Sequence, residues 1–273
     1  MDKKKLEVFT FVTDKSKFYA DFCGKLIKRF ASNKNIDYKC ILSGKVDDIP
    51  DEWEVAGSSS DVGFNSSNHA LALNLAHTIS TAENVILMDC DIAILYPGWD
   101  DVIIENLKKY DLFGFNSNNA RYKNFPNVFF FCYNNRIKEK KIMLDFLPQT
   151  INVNNEPKAE RIIVENKETS MITGIETGKQ IKCDTGWKLP FIAKEYNLSH
   201  EIIQHVSARS KNAKLPKIEN SDIICQQFPG HQDEWHYEEK LFGTHKQASR
   251  SHDKDSCCGK TWIERINNYV RKM

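Results

Sequence analysis

A chain of 273 residues can bury a full core as one large domain or as a domain with a subdomain, and no second domain is required. Its 38 Lys and Arg stand against 37 Asp and Glu, and a net charge of +1 gives no case for a polyanion such as nucleic acid as the main partner while allowing a local phosphate site. No stretch nears the ~18 consecutive apolar residues of a membrane span, and the basic start at Met1 leads only into the short mixed run at residues 6–12, so no signal peptide is read there. Most of the eight cysteines sit in apolar runs, as reduced core thiols do, so the expected location is cytoplasmic.

Residues 6–12 alternate and are rich in β-formers, stop at Thr13 and Asp14, and give way to the helical spacing of Phe18, Phe22, Leu26, Ile27 and Phe30. Residues 36–42 read as a second strand, closed by Ser43 and Gly44. The pattern predicts a βαβ unit with a parallel sheet, whose ligand edge is the carboxyl end of its strands. Thr13 and Asp14 lie on that edge, either as ligand contacts or as a plain helix start. Residues 46–68 are polar and rich in Gly and Ser, which predicts a loop. A helix is expected at 68–78, with Asn74, His77 and Thr78 on its polar side. Asn65, Ser66, Ser67 and Asn68 at its amino end are good caps and favour an anion.

The stretch that follows, residues 85–95, is apolar except for two carboxylates one residue apart. In extended backbone alternate side chains share a face, so Asp89 and Asp91 are expected to point together while Cys90 points away. A single Asp here is usually a turn residue or a cap. Two acids inside an apolar run are costly to bury unless a cation or strong donors satisfy them. A hard divalent cation such as Mg2+ or Mn2+ fits, because it takes oxygen ligands and shares them with substrate phosphates.

Beyond it, residues 101–110 predict an amphipathic helix, 111–115 and 127–133 strands, and 137–146 a helix. Residues 148–180 are polar and poorly periodic, with short strands at 161–164 and 170–173. Cys183, Asp184, Thr185, Gly186 and Trp187 open a new unit that runs into a helix at 189–196; Gly186 allows a tight turn and Trp187 offers an apolar face to a sugar ring. Beyond residues 223–228 comes a tail holding residues 242–250 and a last helix at 262–270.

The strand ending in a polar turn, the loop and helix carrying Asn65 and Ala72, Leu73, Asn74, and the hydrophobic strand into Asp89, Cys90, Asp91 together resemble the GT-A glycosyltransferases, especially the family-2-like members. The resemblance covers most of the chain. It implies a Rossmann-like α/β/α sandwich with a single mixed sheet, residues 1–115 forming a nucleotide-sugar-binding half and 116–273 an acceptor-binding half with its tail. It also implies an Asp-x-Asp motif, here Asp89 and Asp91, that holds Mn2+ or Mg2+ against the diphosphate of a UDP- or GDP-linked donor while the sugar passes to a glycan or other hydroxyl acceptor.

His245 would complete the metal site, and Thr13, Asp14, Asn65, Asp89, Lys246, Ser249 and Arg250 would bind the nucleotide sugar. Asp184 falls where inverting relatives place a carboxylate base before a helix, although relatives often carry two adjacent acids there and this chain carries one. The bland alternatives are a loop histidine at 245 and a helix cap at 184. Two other classes stand as alternatives: phosphatases of the haloacid dehalogenase type, which share the central pair but usually carry it nearer the amino terminus, and non-catalytic nucleotide-sugar or glycan-binding modules, against which the presence of Asp89, Asp91 and Asp184 together argues.

Overall fold

The computed structural model describes residues 6–60, 62, 65–116, 124–152, 174–177, 180–203, 205–206, 233–238, 240–246 and 257–273. In chain order the elements begin with β1 Leu6–Val12, α1 Lys17–Phe30, β2 Ile36–Ser43, β3 Glu54–Ser59, α2 Asn65–Ile79, β4 Asn84–Asp89 and β5 Ile92–Ile94. Next come α3 Trp99–Lys109, β6 Leu112–Phe115, β7 Phe130–Asn134, the short α4 Arg136–Glu139, β8 Gln149–Asn152, β9 Gly174–Thr177 and β10 Gln180–Cys183. The last are α5 Leu189–Glu195, β11 His200–Ile203, β12 His205–Val206, β13 Asp233–Tyr237, β14 Lys240–His245 and α6 Cys257–Lys272.

The main sheet has seven strands in the order β11-β6-β7-β4-β1-β2-β3, and every strand but β7 runs the same way. This is the expected mixed sheet; a three-stranded sheet β8-β10-β9 and a four-stranded sheet β12-β13-β14-β5 accompany it. Its central strands are apolar on both faces because helices cover both. In β1, Leu6, Val8 and Val12 join the core with Tyr19 and Ile27 of α1, Ile103 of α3 and Trp262 and Ile266 of α6. Phe9 and Phe11 point the other way, among Ala72 and Leu73 of α2, Ile137 of α4 and Leu189 of α5. The result is the α/β/α sandwich.

Three expectations need correction. The loop read at residues 46–68 contains β3, which pairs parallel with β2 at the sheet edge; its Gly and Ser residues are tolerated on a half-exposed edge strand. The helix read at 137–146 ends at Glu139, and Lys141 takes a positive φ of 59°. Ile142, Leu144 and Phe146 are buried while Met143 and Leu147 are exposed, so the period here is two. Side chains of α2 receive this segment: Asn74 Oδ1 accepts the Phe146 N–H at 3.2 Å and His77 Nε2 the Leu144 N–H at 3.4 Å. The third correction, to the strand read at 85–95, belongs to the site. The runs at 161–164, 170–173 and 223–228 lie outside the described residues.

At the amino edge of the sheet, Glu7 is 1% exposed and accepts hydrogen bonds from Lys39 Nζ at 2.7 Å, the Thr81 N–H at 2.8 Å, the Ala82 N–H at 3.2 Å and Thr81 Oγ1 at 3.2 Å. Burial alone favours the neutral acid, but Lys39 and the two amides outweigh it and hold the carboxyl below its ordinary value. A group depressed in this way stabilises the fold above its unfolded pKa of about 4.3, and the contribution is lost as pH falls through the folded value. Glu7→Gln is therefore expected to cost about 1–3 kcal/mol at pH 7 and much less at pH 3. Urea melts at the two pH values check this.

Candidate active site

β1 and β4 are neighbours at the point where the strand order reverses, with β2 and β3 continuing to one side and β7, β6 and β11 to the other. Open α/β sheets bind ligands in the crevice at the carboxyl ends of such strands. Phe11 stands opposite Asp89, so the end of β1, with Thr13 just beyond it, and the end of β4 share one edge.

The apolar run at 85–95 is not one strand. The Asp89 N–H still donates to Phe129 O at 2.8 Å, but the chain then turns at Cys90 and Asp91 and re-enters β structure as β5, in a different sheet. Cys90 is buried in the main core at this corner. The two carboxylates converge through the corner rather than through strand alternation. β14 lies antiparallel on β5, with His245 opposite Ile92, and the Lys246 N–H donates to Asp91 O at 3.0 Å. Gly243 permits this close approach, since a Cβ there would stand 3.0 Å from Ala93 O.

One donor atom each from Asp89, Asp91 and His245 lies within 4.8 Å of the others. His245 Nε2 is 3.1 Å from Asp91 Oδ1 and 3.8 Å from Asp89 Oδ2. Its ring is steadied by Phe129, with centroids 5.1 Å apart, and by Trp235 at 6.4 Å. Ligands sharing one ion at about 2.1 Å lie no more than about 4.2 Å apart, so both measured separations fit a divalent cation. Asp91 is 5% exposed, whereas the Asp89 side chain keeps 26% of its surface. The charge of Asp91 reaches Cys23 of α1, whose thiol is pushed well up first by burial and then by that carboxylate.

The remaining expected residues fall in different places. Thr13 is half-buried and turns into α1: its N–H donates to Ser16 Oγ at 2.7 Å, and Asp14 is exposed beside it. Asn65 is the first residue of α2. Lys246 is fully buried next to the cluster, and Ser249 and Arg250 lie outside the described residues. Asp184 sits in the tight turn before α5, where Gly186 has φ of 75° as expected. That turn is tied to the amino end of α2, because Thr185 Oγ1 donates to Ser66 O at 3.0 Å. Trp187 does not offer a face to a sugar: it is 5% exposed, its indole N–H donates to Leu147 O at 3.1 Å, and it packs edge-on to Phe191.

One residue at the cluster escaped the sequence reading. His69, in α2, brings Nε2 to 3.1 Å from Asp89 Oδ1. The polar residues assigned to that helix are occupied elsewhere, Asn74 as described and His77 by Tyr133 Oη at 3.0 Å. The available signal was position alone: His69 lies near the helix start, at the strand edge the two aspartates share.

No protein-family model and no curated protein sequence matches the chain. Solved structures are similar to it. A mannosyltransferase from Pyrobaculum calidifontis in complex with GDP-Man and Mn2+ aligns with a TM-score of 0.46 and 11% identity, over 77% of this chain and 59% of that one. The apo form of the glycosyltransferase GlyE of Streptococcus pneumoniae aligns with a TM-score of 0.39 and 16% identity, over 73% and 45%. The galactosyltransferase LgtC, in complex with donor and acceptor sugar analogues, aligns with a TM-score of 0.36 and 9% identity, over 49% and 59%. All three transfer sugars. The chain spans less than two thirds of each.

Mn2+ added to the wild-type chain is expected to raise its melting temperature, by the equivalent of about 2.7 kcal/mol at a hundred times the dissociation constant. Asp91→Asn exchanges one carboxylate for a near-isosteric amide and should lose that shift. Thermal denaturation of both proteins across a Mn2+ series checks it.

Proposed function

We propose that the chain is a metal-dependent glycosyltransferase of the GT-A type, moving a sugar from a UDP- or GDP-linked donor to a glycan or other hydroxyl acceptor with inversion at the anomeric carbon. The observation that carries this reading is the convergence of Asp89, Asp91 and His245 at the carboxyl edge of β1 and β4. Bound there, Mn2+ or Mg2+ would supply electrostatic stabilisation to the departing diphosphate. The imidazole in the ligand set favours Mn2+, since Mg2+ prefers an all-oxygen octahedron.

Asp89, the more exposed carboxylate, faces the donor, and Asp91 and His245 form the inner wall. Thr13, Asp14, Asn65 and Ser249 would bind the nucleotide sugar, and Lys246 and Arg250 would balance the remaining phosphate charge. Asp184 takes the proton of the acceptor hydroxyl while that oxygen bonds to the anomeric carbon and the carbon–diphosphate bond breaks, its electron pair leaving with the diphosphate. The hydrogen bond from Thr185 to Ser66 supports this role, because it anchors the Asp184 turn to the start of the helix that carries His69. Residues 1–115 would hold the donor and residues 116–273 the acceptor. Cys23, Cys40 and Cys132 are buried free thiols, which suits a reducing compartment such as the cytoplasm.

The test is release of UDP or GDP from a panel of nucleotide sugars, with Mn2+ and with a chelator. Metal-dependent release is expected; release of phosphate from a phosphate monoester instead would favour a phosphatase of the haloacid dehalogenase type. Asp184→Asn should leave donor affinity nearly intact and lower the transfer rate by about a hundredfold or more. Full activity in that variant, or a product with retained configuration, would remove Asp184 as an inverting base.

A further inference from the structure

We propose that His69 is a positioning residue for the metal site: it holds one oxygen of Asp89 so that the other is presented to the ion. The inference rests on the metal reading above and adds a residue to it. A carboxylate rotates easily about its last bond, because that torsion has broad, roughly two-fold minima. An unrestrained Asp89, with a quarter of its side-chain surface in solvent, would spread over several orientations. The two histidines divide it instead. His69 Nε2 lies 3.1 Å from Oδ1, and His245 Nε2 lies 3.8 Å from Oδ2, on the side of Asp91.

His69 is itself held. It projects from α2, and its ring meets Phe11 of β1 edge-on, with centroids 5.3 Å apart. Phe11 in turn is the residue paired with Asp89 across the sheet. Helix, strand and carboxylate thus form a closed set of contacts. His69 Nε2 is a buried atom that makes no hydrogen bond of full geometry among the described residues, and Asp89 Oδ1 stands at ion-pair distance from it, 3.1 Å. Groups that orient metal ligands in this way commonly change metal affinity by about 10–100-fold when removed.

The test uses the full chain and Mn2+ alone, by titration calorimetry, on wild type, Asp91→Asn, His69→Leu and His69→Gln. Leu keeps an apolar contact with Phe11 but has no donor; the terminal amide nitrogen of Gln can reach the place of Nε2. His69→Leu should bind Mn2+ about 10–100-fold more weakly, with an unchanged melting temperature in the absence of metal, and His69→Gln should stay within about threefold of wild type. Wild-type affinity in His69→Leu would overturn the proposal, and so would an equal loss in His69→Gln. Both differ from failure of the metal site itself, in which wild type and Asp91→Asn would take up no Mn2+ alike and both readings would fall together.

Discussion

The site depends on the pairing of β14 with β5. Asp89 and Asp91 are neighbours in the chain, but the group that could hold a metal ion also includes His245, which is 154 residues away from Asp91. Three residue pairs of an antiparallel ladder, and the Lys246 amide on Asp91 O beyond them, fix that distance. The ladder exists because the chain leaves the main sheet after Asp89. Had residues 85–95 continued as one strand, Asp91 would have remained in the main sheet, and β5 would not have been free to receive β14. The buried Cys90 corner and the bare Cβ position of Gly243 are the local features that allow it.

Much of the fold was legible because its central strands obey simple patterning. β1 and β4 are apolar on both faces, and α1 repeats its apolar residues at helical spacing, so their type and order follow from period alone. Residues 137–146 show where such reading fails. Their apolar positions suit a short helix or an extended run, and the choice is made by Asn74 and His77 of α2, which offer acceptors to the backbone amides of the extended form. That information lies some seventy residues upstream and is tertiary in character. β3 failed to show for a different reason: an edge strand needs few apolar side chains, and its composition is that of a loop.

The site was legible in proportion to how local its parts are. The two aspartates are a chain-level signal, and their convergence was foreseen although its geometric cause was different. His245 could be named only through resemblance, since nothing in its neighbourhood reveals that β14 returns to β5. His69 could not be separated from other polar residues of its helix, because what distinguishes it is the facing strand end. Trp187 misled because an aromatic beside a tight turn is equally suited to a sugar platform and to an anchor, and its indole N–H is already satisfied by Leu147 O.

The two edges of the sheet treat buried acids in opposite ways, and the contrast bears on function. Glu7, at the amino edge, is surrounded by donors from Lys39, Thr81 and Ala82 and has the character of a structural clamp between strand and turn. Asp89 and Asp91, at the carboxyl edge, are set close to one another and to two imidazoles, His69 and His245. Two carboxylates held this close repel unless a cation or protons intervene. A fold that neutralises a buried acid with four hydrogen bonds at one edge gathers acids and imidazoles at the other, where Asp89, Asp91 and His245 form a group that could hold a metal ion.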